Sequence, residues 1–277
     1  MKVLFVGCGD IACRVPPKLP QTDQCFGVRR SYSEQIPGID MLQGDIVNEQ
    51  WLESVINQQF DVVIVTLTPD EFTEDAYRKA YLQGAQSLVK AINGSAHKPQ
   101  LVIWVSSSSV YGQGSGDWVD ENSPTEPTTF SGKILLQAEQ EVQRASCKTV
   151  VVRFSGIYGP GRNRLLTAIR RGEVCAEQPP CWSNRIHSED CAGVIAHLIK
   201  LYREKESLYP LYLASDCEPV LLHEVHHWLT TQLNVQVTTT KPATRANRRC
   251  SNQRLLNSGY RFIYPTYKEG YEAILVT

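Results

Sequence analysis

The 277-residue sequence has no excess of charge of either sign. Lys and Arg number 28 against 29 Asp and Glu, a net charge of −1. That balance argues against a generally basic nucleic-acid binder, which needs clustered cations. No apolar run approaches the ~18 residues of a membrane span. The start, Met1-Lys2-Val3-Leu4-Phe5-Val6-Gly7, has four apolar residues before a glycine, short of the ~7–15 of a signal-peptide core. The nine cysteines (8, 13, 25, 147, 175, 181, 191, 217 and 250) contain no C-x-x-C pair and are odd in number. They read as reduced thiols of a cytoplasmic protein, not a disulfide framework. There is no internal repeat and no low-complexity tract. At 42% hydrophobic and 21% charged residues, the composition excludes a disordered chain and suffices for one large core or two unequal lobes.

Four short apolar runs, at 3–6, 62–65, 101–105 and 150–152, are β-branched and free of charge, which suits strands covered on both faces. Weaker strand candidates lie at 24–28 and 41–42. Residues 74–92 form a helical stretch with Ala76, Ala80, Leu82, Ala85, Leu88, Val89 and Ile92 at mixed three- and four-residue spacing. Residues 132–142 form another, with Ile134, Leu135, Ala138 and Val142. Alternation of strand and helix predicts an α/β fold with a parallel sheet. Beyond about residue 162 the pattern loosens, with helices expected at 164–171, 191–202, 223–232 and 268–275 and a strand at 211–214. Residues 113–129, rich in Gly, Asp, Ser, Thr and Pro, read as a long functional loop.

Directly after the first strand comes Gly7-Cys8-Gly9-Asp10-Ile11-Ala12, a G-x-G-x-x-A turn. Its first glycine permits a tight turn, its second lets backbone approach a pyrophosphate, and its small third residue lets helix pack on strand. The free amides of the following helix start, from Gly9, Asp10 and Ile11, suit phosphates. Pro16 and Pro17 fall where that helix should reach its second turn, so it is short or begins unusually. The second strand ends in Gly27-Val28-Arg29-Arg30-Ser31-Tyr32, without the acid that usually binds a ribose 2′-hydroxyl. Two guanidiniums and a hydroxyl, with no local carboxylate, suit a 2′-phosphate. The expected cofactor is therefore NADP, with NAD as the alternative and a solvated arginine loop stacking on adenine as the plain reading.

Five further segments carry a family resemblance: Val105-Ser106-Ser107-Ser108-Ser109-Val110-Tyr111-Gly112; Arg153-Phe154-Ser155-Gly156-Ile157-Tyr158-Gly159-Pro160-Gly161-Arg162; Asn184-Arg185-Ile186-His187-Ser188-Glu189-Asp190-Cys191-Ala192; Gly259-Tyr260-Arg261-Phe262; and Tyr264-Pro265-Thr266-Tyr267-Lys268-Glu269-Gly270. In this order, over nearly the whole chain, they resemble the NAD-dependent epimerase/dehydratase family, the extended short-chain dehydrogenase/reductases. The resemblance implies a Rossmann-type doubly wound sheet (residues 1–162) and a small C-terminal substrate lobe (163–277, with segments returning to the sheet), cofactor and substrate lying between. It places Gly44, Asp45 and Ile46 by the adenine, Thr66 and Leu67 under the cofactor ribose, and Ser106 in the cofactor site. Ser107 matches the catalytic serine or threonine that holds the substrate oxygen. Ser108 and Ser109 stand where sugar-nucleotide dehydratases of the family carry Asp-Glu, so that elimination chemistry is not expected.

The family's Tyr-x-x-x-Lys pair is missing. The corresponding helix start reads Thr129-Phe130-Ser131-Gly132-Lys133-Ile134-Leu135-Leu136-Gln137-Ala138-Glu139. With Lys133 as the lysine, Thr129 takes the tyrosine position; with Glu139 aligned to the glutamate that often follows the pair, Ser131 and Leu135 take the two positions. Neither restores a phenol, and Ser and Thr hydroxyls are far weaker acids than a phenol of pKa ~10. The chain thus resembles the atypical subgroup that keeps the fold and often lacks the dyad. Tyr111 and Tyr158, at strand ends, are candidate substitutes, packing being the plainer reading of both. His187 reads as a brace of the substrate-lobe junction rather than a titrating group, and Asp190 as a helix N-cap or its neighbour.

His223-Glu224-Val225-His226-His227 matches H-E-x-x-H, but no histidine follows to complete a metal site, so these read as surface histidines of an amphipathic helix. Cys175, Cys181, His187 and Cys191 fit no common zinc spacing. No metal is expected. The run Arg245-Ala246-Asn247-Arg248-Arg249 reads as a solvated loop; the alternative is that, with Arg162, Arg164 and Arg185, it holds an anionic substrate such as a nucleotide diphosphate. The expectation is an NADP(H)-dependent oxidoreductase or epimerase moving hydride to or from a small or nucleotide-linked hydroxyl or carbonyl substrate, with Ser107, Tyr111 and Lys133 as candidate catalytic residues. The alternative is a non-catalytic NADP-binding redox sensor or regulatory protein. Neither nucleic acid nor membrane is an expected partner. The chain is a monomer, or a homodimer through a four-helix bundle of 74–92 and 132–142.

Overall fold

The computed structural model describes residues 1–31, 35–244 and 247–276. A seven-stranded sheet is built from β1 (Lys2–Val6), β2 (Gln24–Arg29), β3 (Asp40–Gln43), β4 (Val62–Val65), β5 (Leu101–Ser107), β6 (Lys148–Phe154) and β7 (Leu211–Ala214), in the order β7-β6-β5-β4-β1-β2-β3. β1 runs parallel to both β2 and β4, β2 to β3, and β4 to β5. The chain winds outward from β1 to β3, then returns to β4 on the other side of β1. This reversal is the switch point at which Rossmann-type sheets bind ligands.

The sequence explains the sheet directly. All four residues of β4 are buried, as are Val3–Val6 of β1, as uncharged β-branched strands between two layers require. Helices α1 (Asp10–Cys13), α2 (Glu49–Ile56), α3 (Glu74–Tyr77), α4 (Gly84–Gly94) and α5 (Phe130–Val142) connect the strands. α4 and α5 send Leu88, Ile92, Ala138 and Val142 into one core with Trp104 and the strand residues. Between α3 and α4, Arg78–Gln83 is a π-helix, a form that recurs at functional sites.

Pro16 and Pro17 act as the sequence suggests: α1 is only four residues long, and a 3₁₀ turn, Pro16–Lys18, takes over with proline in its first positions. α2, absent from the sequence reading, is capped by Asn48, whose side chain accepts from the Trp51 amide at 3.2 Å.

By internal contacts the chain forms two units interleaved in sequence. The first comprises Met1–Val110, Pro127–Arg153 and Ala192–Tyr212, the second Tyr111–Glu126, Phe154–Cys191 and Leu213–Thr277. The second packs α6 (Arg164–Arg170), α8 (Leu222–Gln232) and α9 (Tyr267–Val276) through Tyr158, Leu166, Val225, Leu229, Tyr267 and Tyr271. α7 (Ser188–Arg203) begins in it. No helix among the described residues is long and apolar enough to cross a membrane.

Candidate functional site

A cavity of about 290 Å³ opens at the switch point, lined by the ends of β1, β2 and β4 and by the π segment. The turn after β1 is fixed by close backbone packing. Gly7 sits at φ +78°, and a Cβ there would come within 2.9 Å of the Thr66 carbonyl oxygen, so only glycine fits. Thr66 returns the contact, donating its hydroxyl to the Gly7 carbonyl at 2.7 Å. Gly9 follows without a side chain on the cavity wall, as close approach by a ligand's phosphates demands.

The fold brings to this one cavity nine of the residues assigned to the cofactor in the sequence: Gly7, Gly9, Arg29, Arg30, Gly44, Asp45, Ile46, Thr66 and Leu67. Asp10 and Ile11 stand beside it in α1. The Asp10 side chain accepts from Arg14 at 2.8 Å, and Ile11 is buried. The Asp45 carboxylate accepts from the Val47 amide at 3.2 Å. Ser31 lines the rim; Tyr32 lies outside the described residues.

The two arginines differ in what holds them. Arg29 Nε donates to the Cys8 carbonyl, and its Nη2 donates to Cys13 Sγ at 3.5 Å. Arg30 grips both carboxylate oxygens of Asp70, one of them at 2.6 Å. Residues 27–32 hold no carboxylate, but the β1–β4 reversal carries Asp70 to Arg30. Arg30 is thus already paired, which could not be read from the β2 segment alone. Lys79, from the π segment, adds a third cation to the wall.

Cys8 and Cys13 are a second group that the sequence reading left unassigned. The Cys13 thiol is lowered to about 6, chiefly by a hydrogen bond from the Cys8 thiol and then by the Arg29 cation, against burial and the charge of Asp10. Cys8, the donor in that bond and buried, is raised.

At the end of β5, Ser106 turns inward. Its hydroxyl donates to Glu139 of α5, which Arg153 of β6 clamps through Nε and Nη2 at 3.0 and 2.6 Å. Ser107 is half-buried and accepts from the Ser109 amide at 3.1 Å. Lys133 is exposed on α5. Thr129, the candidate for the tyrosine position, is the N-cap of α5: its hydroxyl accepts from the Gly132 amide at 3.2 Å and lies 3.2 Å from that of Ser131.

In the second unit Tyr111 is buried and donates its hydroxyl to the Asp120 carbonyl at 2.7 Å. Tyr158 is buried against Tyr271 and raised in pKa by burial. His187, also buried, packs against Tyr264 with ring centroids 4.1 Å apart and planes tilted by 53°. Asp190 lies inside the first turn of α7. Its carboxylate accepts from the Tyr260 hydroxyl (2.8 Å) and the amides of Ile263 (2.7 Å) and Tyr264 (3.0 Å), so it ties down the 260–264 segment. In the H-E-x-x-H stretch, His226 Nδ1 accepts from the Cys175 amide at 2.8 Å. Among the described residues no three His, Cys, Asp or Glu gather to hold a metal. Arg245 and Ala246 of the basic run lie outside the described residues. Arg248 is buried and donates to the Tyr111 carbonyl, and Arg249 lies between the rings of Trp118 and Trp182.

Three comparisons place this architecture among known proteins. The RmlD substrate binding domain family matches residues 28–261. A solved structure from Methylobacillus flagellatus, described as an NAD-dependent epimerase/dehydratase, is 32% identical, with a TM-score of 0.83 over 99% of this chain and 97% of its own. The human epimerase family protein SDR39U1, solved with NADPH, shares the fold at 18% identity and a TM-score of 0.80, over 98% of this chain and 97% of its own. Protein YeeZ of Escherichia coli K12 is 31% identical over 147 residues, 50% of this chain. The chain spans about half the length of the curated relatives it matches, 48% of YeeZ.

Proposed function

Because this chain belongs to the RmlD substrate binding domain family, within the extended short-chain dehydrogenase/reductases, we propose that it is an NADP(H)-dependent oxidoreductase or epimerase. The observation that carries this reading is the cavity at the β1–β4 reversal, whose lining joins the Gly7-Cys8-Gly9 turn to three cationic residues, Arg29, Arg30 and Lys79. That wall fits a dinucleotide: small at the turn, cationic at the rim. The amides of Gly9, Asp10 and Ile11 hold the pyrophosphate, Asp45 and Ile46 lie by the adenine, and Thr66 and Leu67 lie under a ribose. Arg29, held by neutral or sulfur acceptors, is the first choice for a 2′-phosphate; Arg30 joins it by exchanging Asp70 for phosphate.

When bound, the nicotinamide supplies hydride transfer. Ser107 orients the substrate oxygen, and Lys133 contributes positive charge on α5. The substrate carries a hydroxyl or carbonyl.

The capping role of Thr129 favours a second reading, a dinucleotide-binding protein without turnover: of the two hydroxyls that could stand at the tyrosine position, that of Thr129 caps the helix start and that of Ser131 lies 3.2 Å from it. Calorimetric titration with NADPH, NADP⁺, NADH and NAD⁺ tests the binding. Loss of NADPH absorbance across a carbonyl panel then separates the two readings. No association with any of the four nucleotides rejects both.

A further inference from the structure

Two thiols and a guanidinium meet behind the phosphate-binding turn. Cys8 stands between Gly7 and Gly9 and lines the cavity. Its sulfur fills the space over Gly27, where a Cβ would approach it to 2.7 Å. β2 therefore carries glycine at the one position that lets this side chain point inward. Cys13, the last residue of α1, is half-buried. Its sulfur donates to the Cys8 carbonyl at 3.8 Å and accepts from Arg29 Nη2 at 3.5 Å. Arg29 closes the ring by donating to the Cys8 carbonyl. Cys25 and Cys147 differ in kind: burial raises both thiols to about 11, which keeps them protonated and inert.

We propose that Cys13 and Cys8 are an oxidisable dithiol that takes a hydroperoxide as its oxidant and, as a disulfide, weakens ligand binding in the adjoining cavity; this rests on reading that cavity as the dinucleotide site. The Cys13 thiolate, already hydrogen-bonded and beside a cation, attacks the terminal peroxide oxygen. An S–O bond forms, the O–O bond breaks, and the leaving alkoxide takes a proton to become an alcohol. Cys8 then loses its thiol proton and its sulfur attacks the sulfenic sulfur. An S–S bond forms, the S–O bond breaks, and hydroxide leaves with that proton as water. Two thiols are oxidised by two electrons, and one hydroperoxide is reduced to alcohol and water. The coupling to the cavity is direct. To reach Cys13, the Cys8 sulfur leaves its seat over Gly27, moving the backbone between Gly7 and Gly9.

The test uses the intact, reduced protein treated with hydrogen peroxide, blocked with N-ethylmaleimide and digested with trypsin. Lys2 and Arg14 place both cysteines in one peptide, residues 3–14. The expected result is that this peptide loses two hydrogens and escapes alkylation, that dithiothreitol reverses this, and that NADP(H) affinity falls about tenfold or more in the oxidised form and recovers on reduction. Cys13→Ser abolishes both changes. Cys8→Ser stops at a dimedone-trappable sulfenic acid on Cys13, so the idea stays testable if either variant folds poorly. Recovery of the peptide doubly alkylated, at peroxide doses that oxidise the exposed Cys217, overturns the proposal. So does a disulfide that leaves affinity unchanged. Failure of the reduced protein to bind any nucleotide overturns the cofactor reading instead, and the peptide mass still decides the dithiol.

Discussion

Replacing Glu139 with alanine should be among the most damaging single changes in this chain. Glu139 and Arg153 are 4% and 6% exposed at their side chains. Arg153 binds the carboxylate through two nitrogens, and Ser106 donates to the same group. Truncation removes the counter-charge from a buried guanidinium and the acceptor from a buried hydroxyl. Breaking a buried pair from one side costs about 3–5 kcal/mol. For a chain of this size that is a fall in melting temperature of roughly 6–20 °C. Glu139→Gln keeps an acceptor for Ser106 and should lose less. Glu139→Leu with Arg153→Leu removes both charges and should recover most of the loss, since well-packed apolar replacements of such pairs are often near neutral. Thermal and urea unfolding followed by circular dichroism measure the parent, these three variants and the single Glu139→Leu and Arg153→Leu variants. An alanine variant within about 1 kcal/mol of the parent, or a double variant as unstable as the sum of its singles, refutes this account of the triad.

Three other outcomes follow from the site. Arg29→Ala with Arg30→Ala should weaken NADP binding by about 10–100-fold while changing NAD by less than about threefold; calorimetry showing equal weakening discards the 2′-phosphate assignment. Asp70→Asn frees Arg30 from its exposed partner and should tighten NADP about two- to fivefold without affecting NAD; unchanged or weaker NADP binding removes Asp70 from the competition. Burial raises the Asp216 carboxyl to about 8, with the Arg185 charge opposing. The folded state therefore holds its proton above the unfolded pKa of ~3.9, and that stabilising contribution, complete at low pH, is lost as pH climbs toward 8. Asp216→Asn should flatten this loss and gain most in melting temperature over the parent near pH 8; a larger gain at pH 5 contradicts the burial argument.

Most of the first unit could be read from the sequence because its determinants are local. Uncharged β-branched runs announced β1, β4, β5 and β6, the G-x-G-x-x-A turn announced the cavity, and paired prolines announced a truncated α1. The partners of the arginines could not be read there. Asp70 is forty residues from Arg30, and no local pattern joins them; only the return of the chain from β3 to β4 does. The Cys8–Cys13 contact depends on how sharply α1 leaves the turn, which the prolines hint at without fixing. Ser106 and Ser107 are adjacent and chemically identical, so only the pleat tells which one faces Glu139. Thr129 had a legible cap signature just ahead of the apolar positions of α5. The π segment was not legible, because the apolar spacing over residues 74–92 reads as one continuous helix.

That widened stretch of helix, Arg78–Gln83, carries Lys79 and Ala80 to the cavity wall just downstream of Ala76. Its wider winding lets these six residues sweep nearly the angle that five sweep in an ordinary α-helix. Deleting one of them would therefore leave Ala76 and the core face of α4 in phase, while drawing the Lys79–Ala80 stretch back from the wall. The extra residue serves the cavity, and the core would not notice its loss.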